Sequence, residues 1–267
     1  MPKLSNISAI ISSLFRNPSN VLRVINAEEK HRKRVKKKFN LDAGLPVVSI
    51  SDLLGIVDEV VQPYSFLDGT SLPMDLVLLK GLSKKIPGCN YLEIGTWRGE
   101  SVANVASVAT ACVTINLPDD KMREMGLSEA YIEIHRHYSS GLPNVRHIQA
   151  DSRAFDFSSL GQKFDLIFID GDHRYEGVCS DTSRMLPLLK DENSVLVWHD
   201  YAFDPERPRM EVLDAILNTV PDDLHKCLYH VSNTLSCILS RKMLVSKVLK
   251  QFEKQAKSFK ISIVEAR

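Results

Sequence analysis

The sequence predicts an α/β protein: a doubly wound, mostly parallel sheet with a C-terminal antiparallel hairpin, plus helical extensions at both ends. Three observations carry this prediction. From Cys89 onward, short β-rich runs alternate with helix-length amphipathic stretches, which is the rhythm of βαβ units. Two β-rich runs near residue 235 are separated only by Ser232-Asn233-Thr234. That gap is too short for a crossover helix, so the runs must pair as an antiparallel hairpin. Finally, 44% of the 267 residues are hydrophobic and 25% are charged, which excludes disorder over most of the length. No apolar run approaches the ~18–20 residues of a membrane-spanning helix. The five cysteines are odd in number and form no C-x-x-C pair. A disulfide framework or cysteine zinc site is therefore not expected, and a reducing, cytoplasmic setting is.

Residues 1–84 read as a helical extension and lid region. Ile7, Ile10, Ile11, Leu14 and Phe15 fit one helical face, and Pro18 separates them from Val21, Leu22, Val24 and Ile25. A basic run follows from His31 to Lys38; its place after the apolar stretch is the reverse of a secretory signal. An amphipathic stretch over 52–61, a turn-rich loop over 63–73 and a helix over 74–84 complete the lead-in. Residues 85–242 form the main domain. Its strands are expected over 91–94, 112–117, 145–150, 164–169 and 194–198, with helices over 101–108, 128–138, 178–189 and 210–220. The hairpin uses 227–231 and 235–239. Residues 243–267 form a basic tail with a helix over 243–258, Leu244, Val245, Val248, Leu249 and Phe252 on one side.

The net charge of +1 conceals an asymmetry. Residues 1–40 carry +8, residues 41–240 carry −13 and residues 241–267 carry +6. An acidic core does not suit a nucleic-acid enzyme. Basic amphipathic ends leave two readings: peripheral contact with anionic lipid, or apolar faces that pack on the core or on a second subunit while the lysines stay solvated.

Chemistry concentrates where predicted strands end. In Tyr91-Leu92-Glu93-Ile94-Gly95-Thr96-Trp97-Arg98-Gly99-Glu100-Ser101, Gly95 permits a tight turn, and Gly99 and Ser101 open a helix. The E-x-G-x-x-x-G spacing is not the dinucleotide fingerprint, and an acid two residues before the first glycine suits an amine-bearing ligand. Two further strands end in Ile169-Asp170-Gly171-Asp172-His173 and Trp198-His199-Asp200-Tyr201. If these strands are neighbours, Asp170, His199 and Asp200 converge over one crevice and can bind a divalent metal or act as general base. Read plainly, Asp172 and Asp200 cap turns and the histidines are solvated.

YLEIGTWRGES, VTINLPDD, ADSRAFDF, FDLIFIDGDHRYEGVCSD, VLVWHDY and HVSNTLSCIL, in this order, resemble class I S-adenosylmethionine-dependent methyltransferases. The branch is the one with I-D-G-D-H and W-H-D strand ends, similar to catechol-type and macrolide-sugar O-methyltransferases, over about residues 85–240. The resemblance implies a Rossmann-like fold and S-adenosylmethionine as cofactor. It implies cofactor contacts from Glu93, Gly95, Thr96, Trp97, Gly99, Ser101, Asn116, Leu117, Asp151, Ser152 and Asp170. Asn116 stands where an acid usually bridges the ribose hydroxyls, with Asp119 and Asp120 close by. The implied ligands for Mg²⁺ or another divalent metal are Asp170, His199 and Asp200, with His199 a departure because imidazole is a poor Mg²⁺ ligand. Asp170, His173 and His199 are the implied catalytic residues, a histidine serving as base where no metal acts. The expected reaction is O-methylation of a small hydroxylated or lipid-linked sugar substrate. A related fold doing other chemistry, and a degenerate fold serving as a binding or scaffold module, are the alternatives.

Overall fold

The computed structural model describes residues 18–55, 58–248 and 258–265. The predicted helical face from Ile7 to Phe15, and residues 249–257 of the predicted tail helix, lie outside the described residues.

Among the described residues, nine strands form one sheet. They are β1 (Val47–Val48), β2 (Asn90–Ile94), β3 (Ala111–Asn116), β4 (Val145–Gln149), β5 (Leu166–Ile169), β6 (Val195–Trp198), β9 (Leu228–Val231), β10 (Cys237–Leu239) and β11 (Ser246–Lys247). A separate short ribbon is made by β7 (Ala202–Asp204) and β8 (Arg207–Pro208). The order across the sheet is β11-β1-β9-β10-β6-β5-β2-β3-β4. The block β4-β3-β2-β5-β6 is parallel throughout, and β10 enters antiparallel to both β6 and β9, as the short gap before it requires.

Every residue of β5 and β6 is buried because helices cover both faces of the sheet. Alternate side chains feed two cores. Leu92, Ile94, Ile167, Ile169, Leu196 and Trp198 face one side, with α7 (Tyr175–Met185) and α8 (Met210–Thr219). Tyr91, Leu166, Phe168, Val195 and Val197 face the other, with α3 (Pro73–Lys84) and α4 (Glu100–Ala106). From β2 the chain winds outward through β3 to β4, then returns to build β5 and β6 on the other side. The carboxyl ends of β2 and β5 therefore flank the switch point, where open α/β sheets bind ligands.

Three local expectations are corrected. Among the described residues, the stretch 52–61 is helical only as far as Leu54, in the short α2 (Ile50–Leu54). The helix expected over 128–138 shrinks to α6 (Glu129–Glu133), preceded by an unpredicted α5 (Asp119–Glu124). Residues 243–248 are extended rather than helical, and Ser246–Lys247 pair antiparallel with β1. The sheet edge presented by β1 offers unpaired backbone groups, and pairing with them outweighs a helical pattern whose apolar members Val245 and Val248 stay exposed.

The basic run belongs to α1 (Pro18–Phe39), which packs on α8. Asp214 of α8 is fully buried and receives His31 Nδ1 at 2.6 Å and Arg34 at 3.0 Å. Glu28 accepts the backbone N–H groups of Met210 and Glu211 at 2.7 and 3.3 Å, capping α8 from its neighbour. Val35 and His31 are buried, so this face of the helix is used within the chain, while Lys30, Lys33, Lys36 and Lys37 remain exposed. Asp214→Ala is expected to cost roughly 3 kcal/mol, the low end for a broken buried pair because Arg34 is partly exposed. Thermal melts should show a drop of about 6–12 °C, with new proteolytic cuts in α1. An unchanged melt would show that the helix docks by apolar contact alone. Among the described residues, no helix is long and apolar enough to cross a membrane.

Candidate active site

The loop after β2 is fixed by two glycines in left-handed conformation, Gly95 at φ +94° and Gly99 at φ +83°. A Cβ on Gly95 would run into the backbone carbonyl of Asp170, its carbon 2.6 Å away, and one on Gly99 would meet Ser139 Cβ at 2.8 Å. The ends of β2 and β5 thus touch backbone to backbone, and only glycine fits between them. Thr96 donates its N–H to Asn116 Oδ1 at 3.3 Å, and its hydroxyl lies 2.6 Å from that of Thr114. Trp97, at φ +46°, packs its ring tilted against Tyr131 and edge-on to His135.

Glu93 lies beneath this loop rather than in it. It is fully buried; Tyr91 Oη donates to Oε2 at 2.8 Å and Thr114 Oγ1 to Oε1 at 3.0 Å, with Ser101 as a further hydrogen-bonding neighbour. The Glu93 carboxylate, expected to face an amine-bearing ligand, is engaged beneath the loop by Tyr91, Thr114 and Ser101. Burial pushes its carboxyl up to about 7 against the lowering effect of these donors. Protons are then held more tightly in the folded state between about pH 4.5 and 7. The contribution is full below the unfolded value and is lost as pH rises through 7, on the order of 3 kcal/mol in all. Glu93→Gln should remove that slope in urea melts between pH 5 and 8. A slope retained in the variant would assign it to another group.

The polar residues that follow β3 and β4 are engaged within the protein. Asn116 accepts from Thr96 and donates to the Leu117 carbonyl at 3.3 Å. Asp119 forms a two-pronged pair with Arg136 at 3.1 and 3.0 Å, which holds its carboxyl below the usual range. Asp151 is paired with Arg153, and Ser152 donates to buried Asp181 at 2.7 Å, tying the end of β4 to α7.

Beside the glycine loop, β5 and β6 pair in parallel with Ile169 opposite Trp198, so the residues that follow them converge. His173 Nε2 lies 3.0 Å from Asp200 Oδ2, and His199 Nδ1 lies 3.1 Å from Asp170 Oδ1. Asp200 stands at φ +51°, a left-handed turn that aims its carboxylate back over the strand ends. Burial raises its carboxyl, but His199, His173 and Arg209, the last at 3.7 Å, bring it down to about 2. Burial lowers the His199 imidazole, yet Asp170, Asp200 and Asp75 around it overcome this and hold it well above its ordinary value. Asp172 belongs to the turn, with Arg174 paired to it at 2.8 Å.

The expected ligand trio is Asp170, His199 and Asp200, and the geometry offers a second one that includes His173. Asp170, His173 and Asp200 each offer a ligand atom within 4.8 Å of the other two, whereas His199 is nearly buried between carboxylates. The carboxylates Asp75, Asp170 and Asp200 face one histidine of raised basicity and one arginine, leaving negative charge that suits a divalent cation. Two carboxylates and one imidazole are a donor set that Mn²⁺ accepts more readily than Mg²⁺.

Two features escape sequence reading. Asp75, in the first turn of α3, reaches the cluster from 95 positions upstream of Asp170. The turn-rich lead-in is clamped onto α4: Glu100 accepts from Ser65 N at 2.7 Å and Thr70 Oγ1 at 3.0 Å, and Arg98 donates to Thr70 and the Asp68 carbonyl. Asn104 accepts from Gln62 N and donates to the Pro63 carbonyl. Charges flanking Gly99 in an otherwise apolar turn were the available signal.

The fold and the convergent strand ends define an α/β protein whose ionisable residues gather at the switch point of its sheet. Residues 92–201 match the family model described as a methyltransferase domain. No curated protein sequence matches the chain. Among solved structures, an amino pentose methyltransferase of Micromonospora echinaspora with S-adenosylmethionine bound is similar at 20% identity. The match covers 52% of this chain and 54% of that one, with a TM-score of 0.37. The chain thus spans about half the length of that enzyme. A TDP-rhamnose 3′-O-methyltransferase aligns at 13% identity over 62% of this chain and 77% of that one (TM-score 0.43). A Podospora anserina methyltransferase with S-adenosylhomocysteine bound aligns at 16% over 75% and 72% (TM-score 0.39).

Proposed function

We infer that the chain is an S-adenosylmethionine-dependent methyltransferase that methylates a hydroxyl of a small acceptor such as a sugar or glycolipid. The observation that carries this is the contact of Gly95 with the Asp170 backbone, which gives the glycine loop and the acid–histidine cluster a common wall. The match of residues 92–201 to a methyltransferase domain supports it. Gly95 to Ser101, Asn116-Leu117 and Asp151-Ser152 would hold the cofactor, the side chains of Asn116 and Ser152 exchanging internal bonds for ligand bonds. When bound, the cofactor supplies a methyl group on a sulfonium, an electrophile that needs no further activation.

The protein's own task is then to align the acceptor oxygen and take its proton. Asp170, His173 and Asp200 would hold a divalent ion, whose charge would lower the pKa of an acceptor hydroxyl. Without the ion, His173, oriented by Asp200 at 3.0 Å, is the base within reach of the crevice. Asn116 is the observation that favours a cofactor-binding module without turnover, because it brings no charge to a ribose diol. Calorimetry with S-adenosylhomocysteine, then its release from S-adenosylmethionine with a panel of sugars and diols, tests the proposal. Absence of cofactor binding would reject the whole reading, and binding without transfer to any acceptor would select the module.

A further inference from the structure

Asp75 is fully buried, and its two carboxylate oxygens have different surroundings. Oδ1 accepts from Leu235 N at 3.0 Å and from Ser236 Oγ at 2.6 Å, so the turn between β9 and β10 holds the group in place. Oδ2 is buried with no hydrogen bond among the described residues and faces His199 Nε2 at 3.7 Å. Both nitrogens of His199 are likewise buried without a hydrogen bond of good geometry among those residues. A role confined to tying α3 to the hairpin explains Oδ1 and leaves Oδ2 unexplained, although burying an unpaired carboxylate oxygen is costly.

The ring of His199 has a carboxylate on each side: Asp75 behind Nε2, and Asp170 before Nδ1 at 3.1 Å with Asp200 at 3.7 Å. Phe168 closes a third side edge-on, its ring centroid 5.8 Å away. A half-turn of the imidazole would present carbon to Asp170 and to Asp75 alike, so the two acids together select one orientation. We propose that Asp75 is a positioning residue: it fixes the His199 ring, and through Nδ1 of that ring it holds the carboxylate of Asp170 in the cluster. This rests on the site reading given above, and it adds a residue from the helical lead-in to the machinery at the strand ends.

The test uses the full chain with Mn²⁺ alone as probe. Asp75→Asn keeps an oxygen for Leu235 and Ser236 and changes only what faces His199. It should lower Mn²⁺ affinity tenfold or more by calorimetry and shift the His199 ring signals in long-range ¹H–¹⁵N spectra. In a His199→Gln background the same substitution should have little further effect on Mn²⁺, since the two residues act as one unit. Unchanged His199 signals, or fully additive effects on Mn²⁺, would overturn the proposal. Should Asp75→Asn fail to fold, Ser236→Ala, which releases one tether on Oδ1, should move the His199 signals in the same direction and weaken Mn²⁺ a few-fold; no movement overturns it equally. If the unaltered protein binds no Mn²⁺, the metal part of the site reading fails, and the ring signals alone decide the role of Asp75.

Discussion

Alanine at position 95 is expected to abolish cofactor binding and to be the most damaging single substitution in the loop. The backbone there sits at φ +94°, which costs an L residue about 1–2 kcal/mol, and the added Cβ would meet the Asp170 carbonyl. Relief would require the ends of β2 and β5 to part, which dismantles the shared wall of the crevice. Affinity for S-adenosylhomocysteine should fall at least a hundredfold, with a melting temperature lower by about 6 °C or more. Gly88→Ala supplies the control. It has φ +72° but nothing within 4 Å of a new Cβ, so it should show the conformational cost alone, about 1 kcal/mol. Equal behaviour of the two variants would mean that the close approach at Gly95 does not matter.

The second large effect is expected at the acid cluster. Asp170→Ala and Asp200→Ala should each reduce methyl transfer by a factor on the order of 10²–10⁴, the range for loss of acid–base or ion-assisted activation. They should differ in binding. Asp170 lies against the glycine loop, so its loss should also weaken S-adenosylhomocysteine, whereas Asp200→Ala should leave that affinity within a few-fold. Chelation should abolish transfer and Mn²⁺ should restore it. Survival of activity under chelation, with a histidine-like pH profile, would assign the step to His173 instead. Full activity in both alanine variants would reject both versions.

The alternation of strands and helices was legible from Cys89 to Leu239 because burial on both sheet faces demands unbroken apolar runs, such as Leu166–Ile169 and Val195–Trp198. The short gap before β10 dictated its antiparallel entry. Segments that complete someone else's edge were not legible. Val47–Val48 and Ser246–Lys247 are two-residue strands, too short to carry a period, and exist because β9 and then β1 offer backbone partners. The basic run left lipid contact and packing within the protein both open, and its His31 and Arg34 converge on Asp214, an acid 183 and 180 residues away.

The site divides in the same way. By itself the sequence determined the fold class and placed Gly95, Asp170, His173, His199 and Asp200 at or just beyond the carboxyl ends of strands. These follow from local rules: a turn that needs glycine, a buried strand that ends in ionisable groups, and the crevice of an open sheet. Only the tertiary structure decided that Glu93 lies beneath the loop, that His173 offers a ligand atom beside Asp170 and Asp200 while His199 is nearly buried among carboxylates, and that Asp75 stands behind His199. Each of these depends on which side of a strand or ring faces which neighbour. That is set by the packing of distant elements, where a few ångströms separate a ligand from a buried counter-ion, and no periodicity along the chain encodes it.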